Sequence, residues 1–204
     1  MNPPRSPASA RRFTLVDAMI LIAAAAAGFG MVRGWVVLRS TLPQIDNGAL
    51  PARLLDFRDW YTAARLVLLA MTMAIIPLGL RRSGPPRLGR WSRPGTIVPI
   101  VVALAIAACL VDEGAFQHAV GFHYLYSSPA QRLFTLVSQA VGIGRAATAI
   151  GVAWLTLALA GRWVPEDDWV GWLGRALGFA WIGACLGYRA YELVMYWRFG
   201  IVVV

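Results

Sequence analysis

The sequence predicts an all-α integral membrane protein, a single bundle of about five transmembrane helices, and three observations support this fold class. Of the 204 residues, 58% are hydrophobic and 14% are charged, whereas soluble domains average about 25% charged residues. Five apolar stretches approach the roughly 20 residues that a spanning helix needs. Because five such helices use about half of the chain, residues 1–204 are expected to form one transmembrane domain.

The spans are placed on the five long apolar stretches of the chain. We interpret the first as an uncleaved helix rather than a signal peptide, because apolar residues continue well beyond the small residues at 23–27. Amphipathic segments lead into the second and fourth spans. The predicted bounds are 15–38, 61–80, 96–116, 143–161 and 169–197.

The distribution of arginine predicts the orientation in the membrane. All 19 basic residues are arginine, and the formal net charge is +9. With the N-terminus in the cytoplasm, nine arginines fall in cytoplasmic segments and five in external ones, as the positive-inside rule requires. With five spans, the sequence thus predicts a cytoplasmic N-terminus and an external C-terminus. No basic stripe interleaved with aromatic residues lies outside the spans, so nucleic acid is not expected as a partner.

Charged side chains near one end of the predicted bundle form the candidate site. A charge at the bilayer centre costs about 2.5–3.5 kcal/mol, so each such residue needs a reason to be there. The expected explanation is pairing between helices and extension of arginine stems to the headgroups. The alternative is a binding site for an anionic lipid headgroup or a small anion. The six residues are Arg65, Asp112, Glu113, Arg145, Arg189 and Glu192.

Arg145 is the most informative member of this set. Ser128 and Pro129 form a good helix start, and a fourth helix beginning there would place Arg145 near mid-membrane. It would then need a carboxylate partner, for which Glu113 or Glu192 is the candidate. A helix beginning at Ile143 would instead place Arg145 in its first turn.

Metal and cofactor sites are not expected. His118 and His123 are the weak alternative for a metal site, but a spacing of five does not place two ligands on one helix face. No histidine lies within a span, where a haem would need its axial ligands. The absence of lysine from the chain excludes Schiff-base and pyridoxal-phosphate chemistry.

Small residues four apart predict close helix contacts, because they let two backbones approach. Two such pairs, Gly174 with Gly178 and Gly183 with Gly187, lie in the last span. A third, Ala147 with Gly151, lies in the fourth. They predict a contact between the fourth and fifth helices.

Residues 11–23 read RRFTLVDAMILIA. This segment resembles the start of uncharacterised multi-pass membrane proteins of planctomycete-type bacteria. The resemblance covers the first helix and implies a bacterial inner-membrane protein. It assigns no functional residue.

Three hypotheses for function follow. The first is a non-enzymatic accessory or assembly subunit, whose partners are the lipid bilayer and another membrane protein. The second is a small transporter or anionic-lipid-handling protein that uses the six charged residues. The third is a membrane enzyme with Glu113 or His118 as acid and base.

Overall fold

The structure is a computed structural model, and it describes residues 13–41, 52–81, 93–120, 142–163 and 168–199. Within these ranges the chain is all-helical, with α1 (Leu15–Thr41), α2 (Ala52–Leu80), α3 (Pro94–Val120), α4 (Ile143–Leu159) and α5 (Trp169–Phe199). The predicted fold class is confirmed. The predicted interfacial stretch before the second span is the first part of α2, which runs without interruption into the apolar segment.

Four of the described helices are long and apolar enough to cross a membrane, namely α1, α2, α3 and α5. The fifth, α4, is apolar but has 17 residues, which gives it a length of about 26 Å against the roughly 30 Å of a hydrocarbon core. The protein is therefore a multi-pass membrane protein.

The helices form a bundle with α1 on its outside. Helices α3, α4 and α5 pack on one another, α2 packs on α3 and α5, and α1 lies mainly along α2. The core between α2, α3, α4 and α5 is built from large apolar side chains around Trp181, which is fully buried. A second core joins the end of α2 to the start of α5 through Leu78 and Val170.

The ends of the helices are fixed by local hydrogen bonds. Thr14 and Asp17 cap α1 reciprocally: the Asp17 N–H donates to Thr14 Oγ1 at 3.3 Å, and the Thr14 N–H donates to Asp17 Oδ2 at 3.0 Å. This is a capping box with aspartate in place of the usual glutamate. At the start of α5, Asp168 Oδ1 accepts from the Gly171 N–H at 2.8 Å.

Helix α4 ends at a glycine in the left-handed conformation. Gly161 has a φ of 63°, and its N–H donates to the Ala158 carbonyl while the Arg162 N–H donates to the Leu157 carbonyl. These two bonds define a Schellman motif. The turn brings Trp163 back against Trp154, with ring centroids 6.1 Å apart.

On α5, small residues make close contacts with other helices on one face only. A Cβ at Gly174 would overlap the backbone of Gly95 in α3, and one at Gly178 would lie 2.6 Å from the Trp154 ring of α4. The predicted contact between the fourth and fifth helices is confirmed at Gly178, whereas a Cβ at Gly151 in α4 meets nothing within 4 Å. The prediction for Gly183 and Gly187 is wrong, because a Cβ at either meets nothing within 4 Å.

Candidate functional site

The bundle has two polar ends, which we name after one residue in each. The Asp17 end comprises the starts of α1, α3 and α5 and the ends of α2 and α4. The Arg145 end comprises the opposite ends of these helices. Two contacts fix this arrangement, the ion pair of Asp17 with Arg81 and the stacking of Tyr61 on Tyr188 with centroids 4.1 Å apart.

At the Asp17 end, a fully buried carboxylate joins two helices. The Asp17 side chain is 0% exposed, and its Oδ1 accepts from Arg81 Nη1 at 3.3 Å while its Oδ2 caps α1. Arg93 lies 3.8 Å from Asp168 Oδ2 and links the starts of α3 and α5. These carboxylates are engaged in capping and pairing, which indicates a structural role.

Tryptophan and arginine also meet at this end. The guanidinium of Arg175 lies 5.0 Å from the Trp172 ring centroid and 5.7 Å from that of Trp163. Amphipathic aromatic rings of this kind concentrate where a bundle meets the headgroup layer. The Trp154 indole N–H donates to the Pro94 carbonyl at 3.0 Å and so ties α4 to the start of α3.

At the Arg145 end, the first pair of predicted site residues joins α3 to α4. Helix α4 begins at Ile143 with Gly142 as its N-cap, so Arg145 lies in the first turn. Its Nη1 is 3.6 Å from Asp112 Oδ2 and donates to the Cys109 sulfur at 3.2 Å. The carboxylate that pairs with Arg145 is that of Asp112. It is next in sequence to Glu113, which was one of the two partners predicted for Arg145 at mid-membrane.

The second pair lies within α5. Arg189 Nη1 donates to Glu192 Oε2 at 2.7 Å, as expected for residues three apart on a helix. Arg65 lies one turn from Tyr61 in α2 and is partly buried. The structure therefore brings the predicted residues to one end of the bundle and joins four of them in two pairs.

Some predicted residues lie outside the described part of the chain. The backbone of Glu113 belongs to α3, but its side chain is not among those described, and neither is that of His118. His123, Ser128 and Pro129 lie outside the described residues altogether. Among the side chains that the structure does describe, no group of three or more metal-ligating residues occurs.

Arg33 in α1 was not among the predicted site residues, although it is a charged residue inside a candidate span. Its side chain is exposed. Within the part of the chain that the structure describes, no carboxylate pairs with it. The signal that identifies it was available in the sequence: it is the lone charged residue of 18–38.

Three of the four paired side chains at the Arg145 end are exposed, and the fourth, Glu192, is 19% exposed. The side chains of Arg145 and Asp112 are 64% and 75% exposed, and that of Arg189 is 70% exposed. Exposed ion pairs contribute at most about 1 kcal/mol in water. The Arg145 and Arg189 groups can therefore exchange their partners for an incoming anion at small cost.

Comparison with known proteins gives no match: no family model, no curated protein and no solved structure matches the chain.

Proposed function

We propose that the protein is a non-enzymatic assembly subunit that binds another membrane protein through α1. The observation that carries this proposal is the contrast between α1 and the other helices. Helix α1 lies against the bundle mainly on its α2 side, at contacts such as Gly28 with Val67. Its opposite face is exposed along the span and includes Arg33, a charge that a lipid-facing surface does not favour.

The proposal also places the protein in a bacterial cytoplasmic membrane with the Asp17 end in the cytoplasm. The arginine-rich segment 81–93 joins α2 to α3 at that end, and cytoplasmic loops are enriched in arginine. Labelling of a cysteine introduced at Arg162 by an impermeant reagent tests the orientation, because reaction in intact cells would place this end outside.

Site-specific photo-crosslinking in the native membrane tests the assembly role. A photoreactive residue replaces Val37, on the face of α1 opposite Gly28, or Leu155 on α4; the two side chains are similarly exposed, at 55% and 59%. We expect one discrete crosslinked product of fixed stoichiometry at position 37 and none at position 155. Only lipid adducts at both positions, together with a chain that runs alone after mild extraction, would remove the proposal.

A second candidate function is the binding of an anionic lipid or small anion at the Arg145 end. It is favoured by the exposure of the paired Arg145 and Arg189 side chains, whose guanidinium groups suit phosphate and carboxylate geometry. In this role Asp112 and Glu192 hold the arginines in place until the anion binds.

Native mass spectrometry of the Arg145→Ala variant is the measurement for this candidate. If the arginine binds an anion, phosphatidylglycerol adducts should fall about tenfold, a loss equivalent to roughly 1.4 kcal/mol. Arg162→Ala, which removes an exposed arginine from the opposite end, should leave those adducts unchanged. Equal adducts in both variants and the native chain would contradict anion binding by Arg145.

A further inference from the structure

The free face of α1 carries a cation among small side chains. Each residue of a helix is turned by about 100° from the one before it. This rotation places three residues within a sector of about 60°, namely Ala26, Gly30 and Arg33, and Gly34 lies next to that sector. All four are exposed. Gly28 lies on the opposite side of the helix, where a Cβ would come within 3.1 Å of the Val67 backbone. Among the residues that the structure describes, one face of α1 contacts α2 and the other is exposed.

The depth of Arg33 follows from the register of α1 against α2. Asp17 contacts Arg81, and Gly28, eleven residues along α1, meets Ala70, eleven residues back along α2. Arg33 lies sixteen residues from Asp17, about 24 Å along the helix axis. With the Asp17–Arg81 pair at one boundary of a hydrocarbon core about 30 Å thick, the Arg33 backbone lies about 6 Å inside the other boundary.

This position makes an unmatched guanidinium costly. A helical side chain leaves the backbone tilted toward the N-terminus of its helix, which for Arg33 is toward the membrane interior. Its stem must therefore bend back to reach the headgroups. A carboxylate at the same depth on a neighbouring helix would satisfy the charge directly.

The small residues beside Arg33 make such a neighbour sterically possible. A Cβ at Gly30 meets nothing within 4 Å, so another helix can approach the α1 backbone closely there. Close approach at small residues is a principal way in which helices associate in lipid.

A second copy of this chain fits the face poorly. A symmetric pair of α1 helices with the same orientation would place the two Arg33 side chains at one depth beside each other, where like charges repel. The face therefore calls for a partner that differs from this chain and supplies a negative charge.

From this charge complementarity we propose that the α1 face of Ala26, Gly30, Arg33 and Gly34 receives a transmembrane helix of a partner protein carrying an aspartate or glutamate at the depth of Arg33. This inference rests on the proposed assembly function and names the chemistry of its partner. The carboxylate pairs with the guanidinium, and the glycines set the distance between the helices.

A designed peptide probes this chemistry without knowledge of the natural partner. The probe is an alanine–leucine transmembrane peptide with two glycines four apart and one glutamate about 6 Å inside one end; its control has glutamine instead. Full-length protein and peptide are reconstituted in phosphatidylcholine vesicles, and energy transfer between their labels is measured. We expect the glutamate peptide to bind about fivefold more tightly than the glutamine peptide, as interhelical polar contacts allow.

Variants of the protein distinguish the contribution of the Arg33 charge to peptide binding from that of close packing at Gly30. Arg33→Gln should remove the preference for glutamate, and Gly30→Ile should abolish binding of both peptides while the bundle keeps its stability, because that position is open. Arg162→Gln, an exposed arginine at the other end, should change nothing.

Equal binding of the two peptides, or an Arg33→Gln variant that keeps the preference, overturns the inference. Strong energy transfer between two labelled copies of the chain, lost in Gly30→Ile, overturns it as well by showing that a second copy covers the face. Either result leaves the crosslinking test at Val37 to decide the assembly role by itself, so the two proposals can fail separately.

Discussion

Replacing Gly174 by alanine is expected to destabilise the bundle by about 3 kcal/mol, the upper range for overpacking in a tight core. The added Cβ would lie 2.7 Å from the carbonyl carbon of Gly95. Because that neighbour is backbone rather than a flexible side chain, no rotamer change relieves the overlap, and α5 must move away from α3. Unfolding in mixed micelles of increasing sodium dodecyl sulfate content measures the free energy.

Gly183→Ala is the matched control on the same helix. A Cβ at Gly183 meets nothing within 4 Å, so alanine should be neutral or stabilise the helix by up to about 1 kcal/mol through its higher propensity. If the two variants unfold at the same detergent fraction, the backbone contact between α3 and α5 is not as close as the structure places it.

These glycines show what the sequence could and could not predict about packing. The pattern of small residues four apart is the same at Gly174 with Gly178 and at Gly183 with Gly187. Nine residues separate the first members of the pairs, which turns the second pair about 180° around the helix. Only the face with Gly174 and Gly178 meets α3 and α4. The pattern within a single helix does not indicate which of its faces will meet other helices.

The spans themselves were predictable because they depend on local composition. Long apolar runs must be helical in lipid, where every backbone group needs a partner within the segment. The helices extend beyond the predicted spans at several ends, as with Ala52 in α2 and Val120 in α3. Hydropathy marks the part of a helix inside the hydrocarbon and not its continuation into the interface.

Partners at the candidate site depend on register, which the sequence leaves open. Asp112 and Glu113 are adjacent, but their side chains leave α3 about 100° apart. The rotation of α3 against α4 therefore decides whether Asp112 can face Arg145, and the structure shows that it does. By contrast, the pair of Arg189 and Glu192 follows from spacing within one helix and was predictable.

The ion pair of Asp17 with Arg81 was missed for a related reason. Thr14 and Asp17 have the spacing of a capping box, which the sequence displays. The second role of Asp17 depends on Arg81 being brought to it from 64 residues away. Which residue of α2 lies beside the start of α1 depends on how the two helices pack, and neither helix sequence alone specifies that packing.

Truncation of Trp181 to alanine is the second change for which a large effect is expected, about 3 kcal/mol of lost stability. The ring is fully buried in the core between α2, α3, α4 and α5. Its indole N–H donates to Thr72 Oγ1 at 3.0 Å, and that hydroxyl donates to the Leu68 carbonyl at 2.6 Å. The variant loses both the packing and the link from α5 to α2.

One further variant measures how much of this lost stability comes from the hydrogen bond, and another truncates an exposed tryptophan as a control. Thr72→Val keeps the side-chain shape and removes the acceptor, so it should cost about 1–3 kcal/mol for a buried N–H left without a partner. Trp172→Ala, on the same helix but 58% exposed, should cost less than about 1 kcal/mol. A Trp181→Ala loss no larger than that of Trp172→Ala would contradict the buried position of the ring.

The size of the Trp181 effect also bears on what holds this bundle together. Lipid chains are as apolar as the core, so transfer of the ring out of water does not favour helix association in the membrane. A loss of about 3 kcal/mol must then come from dispersion contacts and the hydrogen bond to Thr72. The same reasoning applies to α1, whose exposed apolar face gains little by leaving lipid. Close packing at Gly30 and a charge partner for Arg33 are therefore the interactions through which a second protein could bind it.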